Sequence, residues 1–117
     1  MTGIVIREDE AGGVLVVTLA GRVDSNASTE LETRLIGRVA ARDTRLVLDL
    51  QGVEYISSAG LRVFLRLLNK LREAEGDLVL CSMAESVREV FELAGFMSIF
   101  AVEGSRALAL ARLSAAS

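Results

Sequence analysis

Hydrophobic and polar positions follow two alternating periods along the chain. Ile4-Val5-Ile6 and Val14-Leu15-Val16-Val17-Thr18-Leu19-Ala20 are β-branched runs on either side of Ala11-Gly12-Gly13. Two such runs around a Gly-Gly turn predict a hairpin. From Ser28 to about Ala41 the period becomes helical: Leu31, Leu35, Ile36 and Val39 form one face, and Glu30 and Arg34 lie four apart on the outer side. Asp24 to Asn26 supply turn and cap residues before it. Leu46-Val47-Leu48-Asp49-Leu50 predicts a strand covered on both faces, broken by Gln51-Gly52, with a short extended piece over Val53 to Ile56. A long helix is predicted over Ser58 to Glu75. Leu61, Phe64, Leu65, Leu68 and Leu71 line one face, Arg62, Arg66, Asn69 and Glu73 the other, and Gly76 is its stop. Leu78 to Met83 predicts a strand. Glu85 to Ala94 predicts a helix with Val87, Val90, Phe91 and Ala94 inward and Gly95 at its end. Ile99 to Val102 is the last strand and Ser105 to Leu113 the last helix, with Leu108 and Leu110 helping to cover the core.

Strands followed repeatedly by helices define an α/β fold: a mixed β-sheet with a hairpin start, covered by about four helices. At 117 residues the chain makes one domain over 1–117. In such sheets ligands gather where strand C-termini meet helix N-termini. Two junctions qualify, Gly21 to Ser28 and Gln51 to Leu61.

Composition narrows the function. Hydrophobic residues make up 51% and charged residues 25%, a globular balance. A net charge of −3 leaves no basic excess for a nucleic-acid backbone. With no histidine, Ser–His and Cys–His nucleophilic pairs and histidine-ligated zinc are excluded. No Gly-rich phosphate loop is present either, so the chain reads as a non-enzyme with no catalytic residue, no metal site and no cofactor. Cys81, the single cysteine, lies in the apolar run Leu78-Val79-Leu80-Cys81 and reads as a buried small hydrophobe in a reducing compartment. Met1 to Glu10 reaches Arg7, Glu8 and Asp9 without the apolar stretch of a signal peptide. No apolar stretch approaches the roughly 18 residues of a membrane span. A cytoplasmic location, with no membrane partner, is the expectation.

At the second junction, Tyr55-Ile56-Ser57-Ser58-Ala59-Gly60-Leu61 joins a strand to the long helix. Either serine suits the N-cap, accepting a hydrogen bond from a first-turn N–H. Gly60 weakens the helix by roughly 0.5–1 kcal/mol relative to alanine, so its missing Cβ points to close approach by another backbone or a ligand. Free N–H groups and the helix dipole tolerate an added anion here. A phosphate on Ser58 would bring about −1.5 to −2 charges at pH 7, which suits a phosphorylation switch. Arg62, four residues on, is placed to help hold it.

Asp49-Leu50-Gln51-Gly52-Val53-Glu54-Tyr55-Ile56-Ser57-Ser58-Ala59-Gly60-Leu61 resembles the signature of STAS domains, in particular bacterial anti-sigma-factor antagonists. Gly21-Arg22-Val23-Asp24, Val79-Leu80-Cys81-Ser82 and Val87 to Phe96 resemble further family segments, in order, from about Ile4 to Leu113. The resemblance implies a STAS-type fold and a partner-switching role. The unphosphorylated protein binds an anti-sigma factor that is also a serine kinase, and the sigma factor is released. Phosphorylation of the serine that matches Ser58 ends binding, and a metal-dependent serine phosphatase restores it. Known members carry Asp before that serine, or Ser-Ser as here, so Ser57 is the second choice of site. The implied partner surface comprises Asp24, Ser57, Ser58, Gly60 and Arg62, with Asp24 equally suited to capping the first helix. The chain itself is expected to be a monomer or weak dimer. The alternative is a STAS subunit that supports the ATPase of a lipid or solute transporter and is not phosphorylated.

Overall fold

The turn at Gly12 and Gly13 closes the predicted hairpin, with φ of +57° and +81°. Two successive left-handed residues match the right-handed twist of the flanking strands. Strands β1 (Ile4–Ala11) and β2 (Val14–Val23) pair antiparallel, from Ile4 opposite Gly21 to Ala11 opposite Val14. The fold is seen in a computed structural model, which describes residues 3–40 and 44–115. After the hairpin come α1 (Ser25–Ala40), β3 (Arg45–Ile56), α2 (Ser58–Glu73), β4 (Asp77–Cys81), α3 (Glu85–Leu93), β5 (Ala101–Glu103) and α4 (Arg106–Ala115). The sheet order is β1-β2-β3-β4-β5, and every pair after the first is parallel.

Side-chain size sorts the two faces of the sheet. Leu15, Val17, Leu19, Leu46, Leu48, Leu50, Leu78 and Leu80 join the larger core with α1, α2 and α3. Val14, Val16, Val47, Val79 and Cys81 meet Ala109 and Leu113 of α4 on the other face. Thus β3 is covered on both sides, as its near-continuous apolar run predicts. All four phenylalanines meet at one end of the larger core. Phe91 lies 6.2 Å from Phe64, 6.4 Å from Phe96 and 5.8 Å from Phe100, measured between ring centroids.

Several predicted boundaries move, each for a local reason. Helix α1 begins at Ser25 rather than Ser28, because Asp24 caps it: its Oδ1 accepts the Ala27 N–H at 2.9 Å. The predicted end at Ala41 lies outside the described residues. Gln51-Gly52 does not break β3. Thr18 faces Asp49 and Ala20 faces Gly52, so β3 carries one extra residue there as a bulge. The Asp49 carboxylate accepts the Gln51 N–H at 3.1 Å and holds the bulge. Helix α2 stops before Gly76, and the left-handed residue after it is Glu75, at φ 59°. Strand β4 ends at Cys81 because Ser82 turns left-handed, at φ 60°. Ile99 is not in a strand. Phe96 to Phe100 form turns, with Ile99 and Phe100 N–H groups donating to the Phe96 carbonyl. Ala94 and Leu108, expected inward, are exposed, whereas Ala109 and Leu113 are buried. Arg34 donates to Glu8 across to β1 at 2.7 Å.

Cys81 is fully buried and unbonded to another cysteine. Burial raises its thiol above the ordinary value, Asp49 adds to this, and a Ser82 hydrogen bond and the Arg106 charge oppose it. An unfolded thiol ionises from about pH 8.5. The contribution to stability is therefore complete below that pH and is lost as pH rises above it, where only the unfolded chain releases the proton. Iodoacetamide at pH 8 is expected to alkylate Cys81 at least about a hundredfold more slowly in the native than in the urea-unfolded protein. Rates within tenfold of each other would show that the thiol is open to solvent.

Candidate functional site

The C-terminal ends of β2 and β3 and the N-terminus of α2 form one connected surface. The Ser57 N–H donates to the Val23 carbonyl at 2.8 Å, which ties the start of α2 to the end of β2. Ser57 is extended, at φ −87° and ψ 168°, and its Oγ accepts the Gly60 N–H at 3.1 Å. It is the N-cap, a contact worth about 1 kcal/mol. Ser58 is therefore the first helical residue. It is exposed, and among the described residues its hydroxyl makes no hydrogen bond. The first turn of α2 contains no acidic residue, so nothing there offsets the positive helix end.

Gly60 points inward. A Cβ there would fall 2.8 Å from Val23 Cγ1, 2.9 Å from Ile56 Cγ1 and 3.1 Å from the Val23 carbonyl oxygen. The missing side chain lets α2 seat against the ends of β2 and β3. Gly60 is buried, which corrects the expectation that a partner touches it directly. Asp24 is half-buried and caps α1 on the same end of the sheet; its carbonyl also accepts the Ser28 hydroxyl at 2.7 Å. Arg62 is exposed and, among the described residues, has no ion-pair partner. It lines a hollow of about 300 Å³ between α1 and α2, together with Ser25, Thr29 and Ala59.

Two features escaped the sequence reading. The Arg22 guanidinium lies 4.3 Å from the centroid of the Tyr55 ring, and Tyr55 is 41% exposed. Register pairs these residues across β2 and β3 one step before Val23 and Ile56, so the stacked pair adjoins Ser57. Both are visible in the sequence, but only strand register brings them together. On the α4 face, buried Asp49 accepts Arg106 Nε at 3.0 Å, and Arg106 also donates to Thr18 at 2.6 Å. These residues are far apart in the chain and no local pattern links them. Among the described residues no group of three or more His, Cys, Asp or Glu side chains is placed to hold a metal, and no helix is long and apolar enough to cross a membrane.

Exposed serine, aromatic and cationic groups thus share one surface at this strand–helix junction. The STAS domain model matches residues 6–109, and the chain belongs to the STAS domain family. It is 48% identical over 103 residues to BtrV of Bordetella bronchiseptica, a protein bearing the name anti-sigma factor antagonist, covering 88% of this chain and 89% of that one. An anti-sigma factor antagonist from Mycobacterium paratuberculosis superposes with a TM-score of 0.87 at 26% identity, covering 95% of this chain and 94% of that one. The phosphorylated form of the Bacillus cell fate determinant SpoIIAA has the same fold, with a TM-score of 0.72 at 16% identity, covering 92% and 98%.

Proposed function

We propose that this chain is an anti-sigma factor antagonist switched by phosphorylation of Ser58. In the unphosphorylated form it binds an anti-sigma serine kinase and frees the sigma factor. Phosphate on Ser58 ends that complex, and a metal-dependent serine phosphatase restores it. ATP and metal belong to those two enzymes; this chain acts by binding, in the cytoplasm. The observation that carries the reading is the division of labour at the junction. Ser57 Oγ is held by the Gly60 N–H, whereas the Ser58 hydroxyl is exposed and unbonded, ready for transfer. Phosphorylating Ser57 instead would remove the cap of α2. The partner surface consists of Ser58, Arg62 and Asp24, extended by Tyr55 and Arg22. Arg62, one turn from Ser58 on the same ridge, pairs with the new phosphate, so the switch changes surface charge and leaves the backbone in place.

The test is intact-mass spectrometry with peptide mapping, after incubation with ATP, magnesium and each candidate anti-sigma kinase of the same genome. One added phosphate on Ser58, absent in Ser58→Ala, is expected, and Ser58→Ala still binds the kinase. Phosphate on Ser57 would keep the switch and move the residue. No phosphate with any candidate would overturn the switch.

A further inference from the structure

The groove between α1 and α2 continues away from the Ser58 surface, and its chemistry selects an occupant. The two helices lie side by side with their N-termini together, since Ser25 and Ala59 line one end and Ile36 and Glu73 the other. The first hollow, of about 300 Å³, meets a second of about 380 Å³ at Glu32 and Arg66. From Ala59 to Glu73 the groove follows α2 for about 21 Å, or roughly four turns. Ile36, half-buried and packed on the core, forms an apolar floor in the second hollow. On α2, Ser58, Arg62, Arg66 and Lys70 recur every fourth residue and form one ridge along the rim. Ser58 heads this ridge and three cations follow it.

We propose that this groove docks an acidic amphipathic helix of the anti-sigma partner. The inference rests on the reading of the chain as a partner-binding module and adds the chemistry of the partner. Arg62 has no partner among the described residues. Arg66 pairs with Glu32, and Lys70 Nζ lies 3.7 Å from Glu73; these pairs are exposed. Exposed pairs are weak, so a carboxylate from a docked helix exchanges readily for either acid. The protein carries −3 overall, yet this ridge is basic, and acidic side chains such as Asp9 and Glu10 lie on β1. Apolar residues at i, i+3 or i+4, and i+7 of the incoming helix meet the floor, and flanking Asp or Glu residues meet Arg62 and Lys70. A second copy fits worse, because two-fold pairing sets basic ridge against basic ridge. A nucleic-acid backbone fits worse too, because it has no apolar side chain to cover the Ile36 floor. Phosphate on Ser58 draws Arg62 to itself and removes the first cation of the ridge from the partner.

The experiment measures binding of each candidate anti-sigma kinase of the genome to the full chain, to Lys70→Glu and to Thr33→Glu, across a salt series. Lys70 is about 18 Å from Ser58 along the helix, and Thr33 is on the opposite wall. Both are exposed, so the fold is retained, as thermal melts verify. Each substitution is expected to weaken binding about tenfold and to flatten its salt dependence. Arg88→Glu on α3 is the control and is expected to bind within twofold of the wild type. If both groove variants bind like the wild type, the groove proposal is overturned while phosphate on Ser58 still upholds the switch. If the groove variants bind more weakly but Ser58 takes no phosphate, the groove stands and the switch falls. A chain that binds no candidate kinase overturns both.

Discussion

Ser58→Glu is expected to bind the anti-sigma kinase about a hundredfold or more weakly than the wild type, with no loss of thermal stability. Ser58 is exposed at the first position of α2, and no acid occupies that turn. A carboxylate there interacts favourably with the helix end, by about 0.3–1 kcal/mol, so the fold accepts it. A partner docked on the same surface must bury that charge or pair it. An unmatched charge in an interface costs about 2–5 kcal/mol, and 2.7 kcal/mol is already about a hundredfold in affinity. Calorimetric titration beside a thermal melt separates the two quantities. Ser58→Ala adds no charge and is expected to bind within a few-fold of the wild type. Wild-type affinity in Ser58→Glu would sink the electrostatic switch.

Phe91→Ala is expected to cost about 3–5 kcal/mol, the range for a large aromatic side chain lost from a core. The residue is fully buried and is the centre of the aromatic cluster, contacting Phe64, Phe96 and Phe100. The segment Phe96 to Phe100 lies outside any strand and is held by turns. Removing Phe91 therefore leaves a cavity and also loosens the segment that leads into β5. For a chain of 117 residues the loss lowers the melting temperature by about 10–20 °C. Phe96→Ala, at a half-buried position, is expected to cost less than half as much. Urea unfolding of the three proteins checks the order, and a loss below about 1 kcal/mol in Phe91→Ala would contradict a central role for this ring.

Features that depend on neighbouring residues were legible in the sequence. Gly12-Gly13 marked the hairpin, and the change of period at Ser57-Ser58 marked the start of α2, because turns and caps are local. The STAS resemblance rested on the same segment, which the fold places at one end of the sheet. What was missed depends on the partner strand or helix. Gly52 reads as a strand end, but only the offset against Thr18 and Ala20 shows a bulge. Gly60 reads as a point of close approach by another backbone or a ligand, but only the fold shows that Val23 and Ile56 are what approach. Ala94 and Leu108 are apolar and exposed, since a short helix covers only part of a face. The Arg22–Tyr55 stack and the α1–α2 groove need parallel strand pairing and the packing of α1 beside α2, which no periodicity encodes.

Strand order in the sheet repeats strand order in the chain. Each new strand is added at an open edge, and none is inserted between strands already paired. As the polypeptide leaves the ribosome, β1, β2, α1, β3 and α2 can therefore assemble before β4 has emerged, with short loops to close at each step. The Ser58 surface belongs wholly to that first portion, so the topology lets this end of the molecule take shape while the last third of the chain is still being made.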